Sequence, residues 1–282
     1  MTTYRELLRK FAREALEKDK EPSAIKRLLL HCSRMGSAQL VASLDECVPK
    51  DTERLVTLAV RDYLDKGRPI QHIIGSEHFF GREFLVNKDV LIPRFETEEL
   101  VEHILYRLDE QFPVEKILRI LDVGTGSGCI AITLALEREA TRVVATEISD
   151  KALAVARKNH RRLGGDVVFR KGHLLEPVKE EIFDVVVANP PYIPQGETLD
   201  PLVGDHEPEI ALFGGEDGLR FYRRIIEDLK RILAADHLVA FEHGHDQAER
   251  IADIIRRHFP KAPITCQKDL AGKERMTFFR SV

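Results

Sequence analysis

Phe183-Asp184-Val185-Val186-Val187-Ala188-Asn189-Pro190-Pro191-Tyr192 is the stretch whose reading decides the fold. Its first six residues are apolar, β-branched and few, the pattern of a strand in a parallel sheet covered on both faces. Asn189-Pro190-Pro191-Tyr192 therefore opens the loop at that strand's carboxyl end, where open α/β sheets bind ligands. Asn189 offers a side-chain carbonyl as acceptor, and Pro190 and its neighbours offer backbone carbonyls on a chain with few accessible conformations. Two converging acceptors can hold both hydrogens of a planar NH2 group. The ring of Tyr192 adds a flat face for a planar amide or a nucleobase. Taken alone, the tetrapeptide reads equally well as a rigid Pro-Pro turn with Asn as a local cap.

On both sides of this stretch, strands and helices alternate. Strands are expected at 117–123, 142–147, 167–171, 183–188 and 238–242, with a closing pair near 264–266 and 276–280. Helices are expected at 129–137, 150–163, 219–233 and 247–259. Such alternation predicts a doubly wound α/β sheet.

Between the first of these strands and its helix lies Leu121-Asp122-Val123-Gly124-Thr125-Gly126-Ser127-Gly128. Glycines there let the backbone turn sharply and approach a ligand without interference from a Cβ. The spacing is GxGxG. The dinucleotide fingerprint GxGxxG would put its third glycine where this chain has Cys129, so a pyrophosphate cradle fits less well than a loop against a nucleoside and an amino-acid moiety. Glu147 ends the second strand, where an acid can accept hydrogen bonds from both hydroxyls of a ribose.

Upstream, residues 1 to about 66 read as short amphipathic helices forming a small bundle. Leu7, Leu8, Phe11, Ala15 and Leu16 recur at helical spacing; Pro22-Ser23 starts a second helix and Asp51 is a candidate N-cap for a third. Gly67-Arg68-Pro69 breaks the pattern. From Ile70 to Leu91 the spacing predicts two short strands in a hairpin, with Asn87-Lys88-Asp89 as the turn. Ile92 to Leu100 then leads into a helix, with Thr97 as its candidate cap and an ion-pair or capping role for Arg94 and Glu96.

Composition sets limits on the function. A formal net charge of -4 and 32% charged residues in 282 describe a globular chain whose main business is not gripping long nucleic acid. No run is long enough to span a bilayer, and the N-terminus lacks the apolar centre of a secretory signal, so cytoplasmic residence is the expectation. Cys32, Cys47, Cys129 and Cys266 form no CxxC pair, and His243 and His245 form no metal motif. Reduced, buried thiols and no metal site are expected.

The glycine turn, the acid ending the second strand and Asn-Pro-Pro-Tyr ending the fourth together resemble class I S-adenosylmethionine-dependent methyltransferases; Asn-Pro-Pro-Tyr marks the members that methylate amino or amide nitrogens. More narrowly, the chain resembles the release factor glutamine N5-methyltransferase family (the HemK/PrmC type). The likeness runs over nearly the whole length. It includes Phe79-Phe80-Gly81, Leu91-Ile92-Pro93-Arg94, Glu96-Thr97-Glu98, Glu207-Pro208, Gly214 to Leu219, Glu242 with Gly244, and Asp269 with Gly272 and Arg275. Phe95 stands where the family usually has proline, Glu147 where aspartate is common, and His173 and Leu174 at adenine-side positions where other residues are frequent.

The resemblance implies a Rossmann-like methyltransferase domain over 94–282, a linking hairpin over 70–93 and a helical substrate-recognition domain over 1–69. It implies S-adenosylmethionine across Gly124, Thr125, Gly126, Ser127 and Gly128, with its ribose on Glu147, its adenine near Leu174 and its methyl near Asn189. Asn189, Pro190, Pro191 and Tyr192 would bind the glutamine of the Gly-Gly-Gln motif in peptide chain release factors, with Asn189, Pro190 and Tyr192 catalytic. Neither a nucleic acid nor a membrane is required. A methyltransferase acting on adenine N6 or another nucleobase amine is the nearest alternative. A nicotinamide-dependent oxidoreductase would leave Asn189 to Tyr192 unused, and a non-catalytic interaction protein would have no cavity at the strand ends.

Overall fold

The computed structural model describes residues 2–282 and divides them into two compact units. One comprises the chain up to Ser76 together with Leu199–His206; the other comprises Glu77–Thr198 and Glu207–Val282.

The first unit is helical: α1 (Tyr4–Glu17), α2 (Pro22–Ser33), α3 (Ser37–Ala42), α4 (Lys50–Lys66) and α5 (Ile70–Ile74). In α1 the buried residues are Tyr4, Leu7, Phe11 and Ala15, a stripe at helical spacing. Thr3 and Glu6 close its start by exchanging backbone hydrogen bonds in a capping box. The stripe packs with Ile25, Leu28 and Leu29 of α2 and Val56, Val60 and Tyr63 of α4. Three local expectations change here. Asp51 lies inside the first turn of α4, whose cap position is Pro49. The helix α3 was not anticipated. Ile70–Ile74 is a helical turn and not the start of a strand: Pro69 presets the backbone ahead of it, Gly75 at φ +85° ends it, and Ile70 joins the bundle core.

A hairpin follows, β1 (Ser76–Phe79) and β2 (Arg82–Leu85), which belongs to the second unit from Glu77 onward. It closes at Phe80-Gly81, with φ of +50° and +73°, the backbone that two-residue hairpins need. Asn87–Asp89, expected as that turn, is a separate one in which the Asn87 side chain accepts the Asp89 N–H at 2.9 Å. Then follow α6 (Phe95–Gln111), β3 (Leu118–Val123), α7 (Cys129–Glu137), β4 (Thr141–Glu147), α8 (Asp150–Leu163), β5 (Val167–Lys171) and β6 (Phe183–Ala188). The turn α9 (Pro201–Gly204) belongs to the first unit. The chain ends with α10 (Arg220–Leu229), β7 (Leu233–Glu242), α11 (Ala248–His258), β8 (Ile264–Lys268) and β9 (Glu274–Arg280).

The seven sheet strands run in the order β5-β4-β3-β6-β7-β9-β8, with β3 to β7 parallel and β9 antiparallel to both of its neighbours. Alternate residues of each strand feed two cores. Ile120, Val185, Val187 and Ala240 pack under α6 and α7, while Leu121, Val186, Val239 and Phe241 pack under α10 and α11. β4 and β5 step outward from β3 in one direction, and β7 steps outward from β6 in the other, with β9 inserted between β7 and β8. The crevice between β3 and β6 is thus the topological switch point, where such sheets take their ligands. The doubly wound α/β class read from the sequence is the observed one.

Among the described residues no helix is long and apolar enough to cross a membrane. All four cysteines are free; Cys129 is buried, but Cys47 and Cys266 are exposed, contrary to the expectation of buried thiols. Cys266 lies on the edge strand β8, which has a neighbour on one side alone.

Candidate active site

β3 and β6 are paired through Val123 and Ala188, their last residues. The glycine turn and the Asn189 loop therefore leave the sheet side by side. Together they wall a cavity of about 420 Å³ whose lining includes Gly124, Thr125, Gly126, Ser127, Glu147, Leu174, Asn189, Pro190 and Pro191.

Within the glycine turn, Gly124, Gly126 and Gly128 have φ of +76°, +55° and +84°, a region that side chains disfavour. Gly128 is closed in as well: a Cβ there would meet Ile132 Cδ1 at 3.1 Å and Ala156 Cβ at 3.2 Å. It packs against the helices behind the turn and is absent from the cavity lining. Thr125 Oγ1 donates to Asp122 Oδ2 at 2.6 Å. Glu147 Oε2 accepts the Gly126 N–H at 3.0 Å and Oε1 the Ser149 N–H at 2.9 Å, which fixes its carboxylate at the cavity's edge. Asn159, fully buried on α8, was not singled out from the sequence. Its amide donates to the Ser127 carbonyl at 2.9 Å and exchanges two hydrogen bonds with the Leu85 backbone, so it ties the turn to β2. A lone Asn inside a helical pattern carries no signal of that role.

The Asn189 loop is held from outside itself. Gln247 Nε2 donates to the Tyr192 carbonyl at 2.8 Å, and Gln247 Oε1 accepts the Gly244 N–H at 3.0 Å. The segment Gly214–Gly218 lies so close that a Cβ on Gly214 would sit 2.5 Å from the Pro191 carbonyl, and one on Gly218 would sit 2.2 Å from the Tyr192 carbonyl. Thr97, expected as a helix cap, instead lies inside the first turn of α6, and its hydroxyl donates to Glu242 Oε2 at 2.7 Å. Arg94 occupies the cap position of α6 and pairs with the buried carboxylate of Glu207, which also accepts the Ile92 N–H at 2.9 Å. That pair joins the segment carrying Pro93 to the one carrying Pro208, both of them walls of the cavity.

Tyr192 is placed differently from the expectation. Its ring packs against the core under α10 and α11, and burial pushes its hydroxyl up to about 12. It is not part of the cavity lining, where Pro190 and Pro191 supply the flat apolar surface. His173 and Leu174 both line the cavity, Leu174 with φ +50°. Among the described residues no three His, Cys, Asp or Glu side chains are grouped as metal ligands.

A family described as a methyltransferase small domain matches residues 103–205. Among solved structures, a methyltransferase from Pyrococcus furiosus superposes with a TM-score of 0.50 at 21% identity, covering 72% of this chain and 91% of that one, a likeness of fold. The release factor glutamine methyltransferase of Bacillus cereus is 41% identical over 266 residues, 93% of each chain. That of Bacillus subtilis is 42% identical over 279 residues, 98% of this chain and 96% of the relative. Identity at this level along almost the full length of both partners decides the kinship: the chain belongs to the release factor glutamine methyltransferase family.

Proposed function

We propose that this chain transfers a methyl group from S-adenosylmethionine to the side-chain amide nitrogen, N5, of the glutamine in the Gly-Gly-Gln motif of peptide chain release factors. The observation that carries the reading is the pairing of Val123 with Ala188, which starts the glycine turn and the Asn189 loop next to each other on one cavity. Cytoplasmic residence follows from that substrate.

The residues present fit the cofactor. Gly124 and Gly126 have open space where a Cβ would be, so a ligand can lie against their backbone. Each oxygen of Glu147 already accepts one N–H and keeps capacity for a hydroxyl, the arrangement a ribose diol needs. The apolar lining from Ile148 and Leu174 suits an adenine face. When bound, S-adenosylmethionine supplies an electrophilic methyl carbon on a sulfonium.

The difficulty lies in the nucleophile, because an amide nitrogen has its lone pair delocalised into the carbonyl. Asn189 Oδ1 and the Pro190 carbonyl are the acceptors assigned to its two hydrogens. Holding both aligns the nitrogen for in-line attack, an orientation effect on the order of 7 kcal/mol. The same acceptors strengthen as positive charge develops on nitrogen, and they are fixed before the reaction begins. The nitrogen would gain the methyl carbon as the carbon–sulfur bond breaks, its electron pair staying on the sulfur of S-adenosylhomocysteine, and the nitrogen would release one proton. The helical unit up to Ser76 is assigned to gripping the rest of the release factor; its exposed Leu55 and Leu58, three residues apart on α4, support an apolar contact there.

Incubation with methyl-labelled S-adenosylmethionine and an intact release factor, followed by mass spectrometry of the peptides, tests this. Label on the Gly-Gly-Gln glutamine is expected. Label on a nucleic acid instead, or none on that glutamine, overturns the reading.

A further inference from the structure

Asn189 Nδ2 lies 3.3 Å from Thr97 Oγ1, and Thr97 Oγ1 lies 2.7 Å from Glu242 Oε2. When Glu242 is ionised it can only accept, so the single proton of the Thr97 hydroxyl is given to it. Thr97 therefore faces Asn189 with a lone pair. The NH2 end of a carboxamide satisfies a lone pair and the oxygen end does not. That demand turns the nitrogen of Asn189 inward and leaves Oδ1 for the cavity.

The brace is itself fixed. Thr97 and Glu242 are 3% and 2% exposed, and burial of this degree strengthens the hydrogen bond between them. Glu242 ends β7, the neighbour of β6, and its carbonyl accepts the hydroxyl of fully buried Tyr222 at 2.6 Å. Thr97 is held by the first turn of α6.

We propose that Thr97 and Glu242 are positioning residues for methyl transfer, which lock the rotation of the Asn189 carboxamide so that its oxygen faces the substrate amide. This rests on the reading of Asn189 as an acceptor for that amide. Turned by half a rotation, Asn189 would present NH2 to NH2, donor against donor, and the glutamine nitrogen would lose one of its two anchors. Volume alone would not prevent that turn, since the two ends of a carboxamide are nearly the same size; the hydrogen-bond polarity of the brace does.

The test is Thr97→Val, which keeps the shape of the side chain and removes its polarity, against Thr97→Ser, which keeps the hydroxyl. The near-isosteric Glu242→Gln offers Thr97 a donor as well as an acceptor, so the threonine no longer faces Asn189 with one fixed polarity. Rates of glutamine methylation on a release factor, cofactor affinity by calorimetry and Tm are measured for all three. For Thr97→Val a loss of about 100-fold in kcat is expected, the scale of a misaligned reacting group, with KM and cofactor affinity retained. Thr97→Ser should recover most of the rate, and Glu242→Gln should fall between them. Thr97→Val at full rate overturns the proposal, as does equal loss in the folded Ser and Val variants or a loss that follows Tm and cofactor affinity. If Thr97→Val does not fold, Glu242→Gln at full rate overturns it equally. Failure of the unsubstituted protein to methylate the glutamine overturns instead the functional reading on which the proposal stands.

Discussion

In the glycine turn, Thr125 gives its hydroxyl to Asp122, three residues earlier; beside the Asn189 loop, the matching threonine and acid are Thr97 and Glu242, separated by 145 positions. Both acids are buried, and both pairs stand behind a loop that walls the same cavity. The first loop carries this threonine–acid brace within one strand and one turn, although Glu147 and Asn159 also hold it from β4 and α8. The second is assembled from α6, β7, Gly214–Gly218 and Gln247, and has its shape once the sheet has closed around it. A surface that must accept a ligand along its backbone can be specified locally, through positive φ at glycine. A surface that must hold one side-chain atom in one orientation needs partners from several directions.

Asn189→Ala breaks the comparison most severely. It removes the proposed acceptor and leaves the glycine turn untouched, so the rate of methylation should fall about 1000-fold while cofactor affinity is retained. Single-turnover kinetics beside calorimetry separates the two quantities. A parallel loss of both would mean that the loops do not divide the work in this way.

Next in size is a pair of glycine substitutions, one in each region. A Cβ on Gly218 would sit 2.2 Å from the Tyr192 carbonyl and 2.5 Å from Gln247 Nε2, at φ +75°, so Gly218→Ala must displace the Asn189 loop. A displacement of that kind should cost about 100-fold in methyl transfer. Gly126→Ala meets no protein atom and incurs the strain of φ +55°, about 1–2 kcal/mol read as a lower Tm, while its Cβ enters the space proposed for the cofactor, read as weaker cofactor binding. Equal effects of the two on transfer would show that the loops are built alike after all.

The same contrast explains what the sequence made legible. β5 and β6 begin and end where hydrophobic pattern put them, and the glycine turn sits where three alternating glycines after a strand put it, because those signals are local. Asn189 was visible for the same reason, as the residue that ends a strand before two prolines. Its supports were less visible. Thr97 reads as a helix cap by its neighbours and becomes a brace through Glu242, and Gln247 reads as the first residue of a helix although it bridges Tyr192 and Gly244. Periodicity identifies a buried face, not which polar atom meets which across it. The hairpin turn was misplaced because Asn87-Lys88-Asp89 has ordinary turn residues, whereas the actual turn puts Phe80 at positive φ, an unusual choice for an aromatic residue. Ile70–Ile74 reads as extended in the sequence because five residues are too few to tell a helical period from an extended one.

The smallest expected effect concerns the acids behind the two loops and is read in stability. Burial pushes Asp122 and Glu242 each up to about 7, against the pull of Thr125 on the one and Thr97 on the other. In the unfolded chain both return to ordinary carboxylate values near 4. The native state thus binds the proton more tightly than the unfolded state, and the stability this confers is complete below pH about 4 and is lost as pH rises through 7. Between pH 6 and pH 8 each group should lower the unfolding free energy by about 1.4 kcal/mol, the value of one proton over one pH unit. Urea titrations at the two pH values measure it. Asp122→Asn and Glu242→Gln should each remove that contribution of about 1.4 kcal/mol from the pH dependence. Their effects on function should diverge where their effects on stability do not: Asp122→Asn should act on cofactor affinity through the glycine turn, and Glu242→Gln on the transfer step through Asn189. Two buried acids with the same titration and opposite functional signatures would tie the local brace to the cofactor and the long-range brace to the substrate; identical signatures would dissolve that division.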